Sequence, residues 1–206
     1  KVGEKKYKDF ISKSNLINNP IIELEEIGKP HHLKWNKCKL ETISFGHGIT
    51  TTPLQATALY SAMTNGGKLV EPSLIMDRKK NHVKNIISQK TSNQIKDILR
   101  KVVSSKNGTA SLADKDGYYV GGKTGTAESY GNTKNRTNTF ISVFPSNKPK
   151  FTLFVMLENP KINKDLIYNY RGVKTKAPYN TSGWNAVYVT GKIIEKIGPI
   201  LAINNK

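Results

Sequence analysis

Apolar residues recur along this chain at two spacings, one helical and one extended. Tyr7, Phe10 and Ile11 fall at helical spacing and predict a short amphipathic helix over 5–14. Residues 15–40 carry Pro20, Gly28 and Pro30 with no regular period, which predicts an irregular connection. Phe45-Gly46-His47-Gly48 reads as a flexible hinge ahead of a marked helix start. There Thr52 is placed to cap, Pro53 takes the first helical position, where a missing N–H costs nothing, and Gln55 completes a capping box. That helix runs through Ala56, Leu59 and Met63 and stops near Asn65-Gly66-Gly67. Residues 68–75 look extended, and Pro72, which cannot donate to a ladder, confines them to an edge or a loop. Ile95, Ile98, Leu99, Val102 and Val103 then form a strong helical stripe, with Ser88 able to cap it and Asn107-Gly108 to end it.

The second half changes period. Runs at 118–126, 137–144 and 151–157 read as strands, and Pro145-Ser146-Asn147-Lys148-Pro149 turns the last two into a hairpin. The run from Phe151 to Leu157 is almost continuously apolar, which predicts a strand covered on both faces. Residues 158–180 read as a polar loop, and Thr181 can cap a final helix carrying Ala186, Val189, Thr190, Ile193 and Ile197 on one face. The chain shows no internal repeat and no clear linker. The pattern predicts an α+β protein, antiparallel strands with flanking helices, in one domain.

Composition narrows this. With 33 Lys+Arg against 15 Asp+Glu, a net charge of +18 and no stretch approaching a membrane-spanning run, the chain is neither membrane-embedded nor collagen-like. The charge invites a nucleic-acid reading, since clustered cations gain affinity by releasing counterions. Its make-up argues otherwise. Only Arg78, Arg100, Arg136 and Arg171 are arginines, the residue whose planar fork reads phosphates and bases, and the lysines are spread rather than clustered. Lys, Asn and Ile are abundant together, as codon bias in an AT-rich genome would make them, and no nucleic-acid partner is expected. Cys38 is alone, so no internal disulfide forms, and no zinc site or other metal site is expected. The chain starts Lys1-Val2-Gly3-Glu4, which is neither a signal peptide nor an initiator context, and reads as a piece of something longer.

Two motifs compete for one lysine. Gly117-Tyr118-Tyr119-Val120-Gly121-Gly122-Lys123-Thr124 satisfies the phosphate-loop string, but strand-like residues fill the supposed loop and no amphipathic helix follows it. Lys123-Thr124-Gly125 fits better as a K-T-G strand, which offers a substrate carboxylate a cation, a hydroxyl and a backbone N–H. Lys123 supplies charge and a proton donor, Thr124 a hydroxyl, Gly125 an unobstructed backbone, and Thr126 an N–H that can form half of an oxyanion hole. Ser105-Lys106-Asn107 has the letters of a Ser-x-Asn motif, yet it falls at a helix end and is read as a decoy. No histidine marks a rival triad: His31 and His32 lie in an irregular stretch, His82 among Lys and Asn, and His47 between two glycines, where packing near a tight turn is expected.

The surroundings of the lysine are similar to one family. Ser44-Phe45-Gly46-His47-Gly48-Ile49-Thr50-Thr51-Thr52-Pro53-Leu54-Gln55, the Asn65-Gly66-Gly67 helix end and Leu99-Arg100-Lys101-Val102-Val103 leading to Asn107-Gly108-Thr109-Ala110 come first. Gly122-Lys123-Thr124-Gly125-Thr126-Ala127-Glu128 and the helix that begins Thr181-Ser182-Gly183-Trp184 follow in order. Together they resemble class B penicillin-binding proteins, the division-specific peptidoglycan D,D-transpeptidases, over nearly the whole chain. The resemblance implies a partial penicillin-binding/β-lactamase-like fold, with 1–206 as the C-terminal portion of a single transpeptidase domain. It further implies serine acyl transfer onto peptidoglycan stem peptides during septal wall synthesis and acylation by β-lactams. Lys123, Thr124, Gly125 and Thr126 would bind substrate, with Lys123 and the Thr126 N–H acting in catalysis and no cofactor. Division proteins at the septum would be the partners, and the periplasmic face of the inner membrane the location, with the anchor outside this chain.

The sequence departs from the pattern in two places. A Phe-Gly turn and a Thr-Gly element are missing around 15–27, and no Ser has a Lys three positions on, so the nucleophile motif is absent from these residues and the chain alone is expected to be inactive. In the family, earlier strands pair beside the strand equivalent to 151–157, so here that edge is expected to be open. A fragment of a serine β-lactamase and a basic, non-enzymatic binder of anionic surfaces or nucleic acid remain as alternatives.

Overall fold

The computed structural model describes residues 2–36, 38–76, 83–129 and 135–203; Arg78, His82 and the middle of the polar stretch 129–138 lie outside them. The chain forms two compact units, Lys1–Ser92 and Asn93–Lys206.

The first unit holds helices α1 (Glu4–Lys13), α2 (Lys39–Ile43) and α3 (Pro53–Thr64), strands β1 (Lys68–Val70) and β2 (Val83–Asn85), and the start of α4 (Gln89–Ser104). Its interior gathers around Ile11, Leu33 and Ile43, with Tyr7, Leu16, Ile17, Trp35 and Ile49 packed against them. The start of α3 forms as the sequence predicts. Gln55 N donates to Thr52 Oγ1 at 3.2 Å while Thr52 N donates to Gln55 Oε1 at 3.3 Å, the reciprocal pattern of a capping box. Gln55 does more than cap: buried, it donates through Nε2 to the carbonyls of Asn15 and Asn18, both at 2.6 Å, and so ties down the irregular connection. The hinge glycines Gly46 and Gly48 have φ of 90° and 72°, a region that L side chains resist. His47 is exposed rather than packed, stacked beside the Phe45 ring. The short helix α2 was not foreseen, and the extended stretch after α3 narrows to three residues of β1, paired antiparallel with β2.

The second unit is built on an antiparallel sheet in the order β3 (Gly121–Ser129), β4 (Asn135–Phe144), β5 (Phe151–Glu158). Asn138, Phe140 and Ser142 alternate along β4 as buried residues of one face, the period-2 signature of a strand with an interior side. Helix α5 (Ala186–Ile203) packs against β4 and β5, burying Ala186, Val187, Thr190 and Ile194. On β3, a Cβ at Gly121 would lie 3.2 Å from Arg100 N, so glycine lets the strand approach the backbone of α4. Arg100 fastens the same junction, donating through Nη1 to Val120 O and to Asp114 Oδ1, each at 2.8 Å.

Four sequence expectations are corrected here. The strand expected at 118–126 starts three residues later, because Tyr119 takes a positive φ of 47° and Val120 plunges into the core. Strand β5 is not covered on both faces: Met156 is 42% exposed and only Val155 is buried, while its outer edge, unpaired among the described residues, is open as expected. The polar loop 158–180 contains a hairpin, β6 (Tyr168–Tyr170) and β7 (Val173–Thr175), turned by Arg171 and Gly172 at φ of 55° and 81°. Thr181 does not cap the last helix: a 3₁₀ turn, Ser182–Trp184, comes first, and α5 begins at Ala186, where Ala186 and Thr190 of the expected face are buried together with Val187 and Ile194, while Val189 and Ile193 are partly buried. Among the described residues no helix is long and apolar enough to cross a membrane.

Candidate active site

The predicted substrate residues lie on β3, the strand at the other edge of the sheet. Lys123, Thr124, Gly125 and Thr126 pair with Ile141, Phe140, Thr139 and Asn138 of β4, and among the described residues β3 pairs with no other strand. One side of its backbone therefore stays open to an extended ligand, the geometry that adds a peptide to a sheet. Alternation sends neighbouring side chains to opposite faces. Thr124 and Thr126 line a cleft of 530 Å³ with Thr109, Tyr170, Trp184 and the 3₁₀ turn. Lys123 lines an adjoining groove with Lys101, Ser105 and, again, Thr109 and Thr124. Lys123, Thr124 and Thr126 thus make one strand edge serve two depressions, with Thr124 at the seam.

Each residue has an identifiable setting. Lys123 is exposed, and its Nζ donates to the Thr124 carbonyl at 2.8 Å, which holds the cation against the strand. The hydroxyls of Thr124 and Thr109 are hydrogen-bonded at 3.1 Å. A Cβ at Gly125 would come within 2.5 Å of Thr139 Oγ1, so a larger residue there would have to displace that hydroxyl. Thr126 is exposed, and its Oγ1 accepts from Ser182 N at 3.4 Å, while buried Ser182 donates through Oγ to Thr139 O at 2.6 Å. That pair of bonds fixes the 3₁₀ turn beside the strand.

Sequence reasoning missed several lining residues. Arg171, at the tip of the β6–β7 hairpin, donates through Nη2 to Gly108 O at 2.7 Å and Ser105 O at 3.2 Å, and lies 4.8 Å from the centre of the Tyr170 ring. Tyr170 in turn packs on Trp184 with ring centres 4.8 Å apart. Their one sequence signal was Tyr168-x-Tyr170 alternation before Arg171-Gly172, buried in a polar run. The loop before the 3₁₀ turn is held at Asn180: its carbonyl accepts from Arg136 Nη1 at 2.6 Å and its Oδ1 from Asn185 Nδ2 at 2.9 Å and buried Asn138 Nδ2 at 3.2 Å. Ser105-Lys106-Asn107 sits at the C-terminus of α4, where Ser105 N donates to Lys101 O and Gly108 N to Ser105 O.

An antiparallel sheet with helices against it and a K-T-G strand exposed at its edge is the architecture of the penicillin-recognising enzymes, present here as part of a domain. The comparisons with known proteins agree. Residues 1–180 match the model of the penicillin binding protein transpeptidase domain, and the chain belongs to that family. It is 27% identical over its full length to the probable peptidoglycan D,D-transpeptidase FtsI of Caulobacter vibrioides, covering 36% of that protein. Over 58% of its length it is 36% identical to the stage V sporulation protein D of Bacillus subtilis, of which it covers 21%. The chain thus spans between a fifth and two fifths of these two relatives. Its fold matches the transpeptidase domain of Burkholderia pseudomallei penicillin-binding protein 3 with a TM-score of 0.75 at 19% identity, covering 95% of this chain and 57% of that one.

Proposed function

We propose that residues 1–206 are the C-terminal portion of a single transpeptidase domain that cross-links peptidoglycan by serine acyl transfer, in a membrane-anchored, periplasm-facing protein of septal wall synthesis. The observation that carries this is the K-T-G strand at an open sheet edge beside a polar cleft, in a chain of the transpeptidase family. A Ser hydroxyl outside these residues attacks the carbonyl of the penultimate residue of a D-Ala-D-Ala stem, the terminal D-Ala leaves, and an amine of a neighbouring stem displaces the serine from the acyl-enzyme. β-Lactams acylate the same Ser, and division proteins at the septum recruit the whole protein. Lys123 and Thr124 bind the substrate carboxylate, Gly125 permits the close strand approach, and the Thr126 N–H supplies half of the oxyanion hole. The chemistry uses no cofactor.

Within these residues no Ser-x-x-Lys occurs, so the chain by itself does not form an acyl-enzyme. Labelling with a fluorescent penicillin tests this: no stable adduct is expected on the 206-residue chain, and a stoichiometric one overturns the assignment of the nucleophile elsewhere.

A further inference from the structure

Thr109 stands beside Thr124 where the two depressions meet. It lines both depressions, as Thr124 does, and the two hydroxyls lie 3.1 Å apart. Its backbone is held from two sides. Arg171 grips the carbonyls of Ser105 and Gly108 immediately before it, and Gly183 of the 3₁₀ turn lies so near that a Cβ there would come within 2.8 Å of Thr109 O. An exposed side chain on a loop is ordinarily free to wander; here three separate segments fix where its hydroxyl stands.

A hydroxyl has one proton to give and two lone pairs. When two hydroxyls bond only to each other, one proton is used between them and the second points outward. A carboxylate offers two anionic oxygens and can take both protons at once, in charge-assisted bonds stronger than the neutral one they replace. A carboxamide offers a single acceptor oxygen and an N–H₂ that competes for the same space. We infer that Thr109 is a second ligand-binding hydroxyl, paired with Thr124 as a fork that grips both oxygens of a terminal carboxylate and discriminates against its neutral analogues. This rests on Lys123-Thr124-Gly125 being the substrate strand. The Thr109–Thr124 hydrogen bond is then the resting state of the fork, and Arg171 is the positioning residue that keeps its second prong in place.

The test is titration of the 206-residue chain with N-acetyl-D-Ala-D-Ala and with its C-terminal carboxamide, followed by the amide NMR signals of residues 109 and 124–126. The unsubstituted chain binds the acid more tightly than the amide. Thr109→Val weakens acid binding about tenfold, as one lost charge-assisted hydrogen bond requires, and lowers the acid-to-amide ratio, while Thr109→Ser restores both. A structural role alone leaves that ratio unchanged. Equal acid affinity and an equal ratio in Thr109→Val overturn the fork while leaving the substrate strand standing. A chain whose Thr124 signal responds to neither probe overturns the strand's assignment, and the fork with it.

Discussion

Residues 93–206 bury Phe140, Val143, Val120, Val187 and Ile194 almost completely in and around a three-stranded sheet, whereas residues 1–92 gather their interior around Ile11, Leu33 and Ile43. The earlier unit supplements its smaller interior with side chains that reach backbone: Tyr7 Oη donates to Ile43 O at 3.1 Å, and Gln55 to Asn15 and Asn18. It also exposes Phe45, Leu74, Ile75 and Met76. The contrast is between a larger and a smaller apolar interior, each tied to backbone by polar side chains. Packing resists small displacements in every direction, and the strand that carries Lys123 and Thr124 belongs to the unit with the larger interior. A ligand site that depends on two hydroxyls held 3.1 Å apart is better placed there.

The contrast can be broken in order of expected effect. Phe140→Ala removes a ring with no exposed surface and costs about 3–5 kcal/mol, read as a lower denaturant midpoint with loss of exchange protection along β3–β5. Unchanged protection there would mean that the sheet does not depend on its core. Ile11→Ala empties a smaller interior and costs about 2–3 kcal/mol, with faster exchange in α1. Gln55→Ala leaves the carbonyls of Asn15 and Asn18 without their donor and removes half of the capping box, for about 1–3 kcal/mol by thermal melting. If it costs less than Ile11→Ala by a wide margin, the first unit is packed rather than tied. Arg136→Met removes the Arg136–Glu128 ion pair and the donor to the Asn180 carbonyl, at about 1–2 kcal/mol, because these side chains are less than a third exposed. Glu4→Gln breaks an exposed pair with Lys8 and shifts stability by less than about 0.5 kcal/mol.

How far the sequence foretold all this follows the same division. Elements with their own punctuation were legible: the Thr52-Pro53-x-Gln55 start of α3, the apolar stripe of α4 behind Ser88, and the β4–β5 hairpin around its two prolines. So was the strand character of the stretch that carries Lys123-Thr124-Gly125. What stayed hidden depends on distant contacts. Tyr119 and Arg171 adopt positive φ in sequences that do not announce it, since neither is glycine or asparagine. Strand β5 is apolar enough to read as covered on both faces, and its partial exposure depends on what packs against it, not on its composition. Thr109 and Arg171 reach the site from 14 residues before and 48 residues after Lys123, and nothing in their own neighbourhoods marks a ligand.

The central claim is that Lys123 and its strand bind the substrate of a serine acyl transfer, and fluorescent-penicillin labelling tests it most directly. The protein to use carries this chain joined to an upstream segment with a Ser-x-x-Lys motif. The account predicts a stable adduct whose rate of formation falls at least about a hundredfold in Lys123→Ala, with the melting temperature unchanged, as loss of a charged anchor for the carboxylate demands. Labelling at an undiminished rate in Lys123→Ala would contradict it.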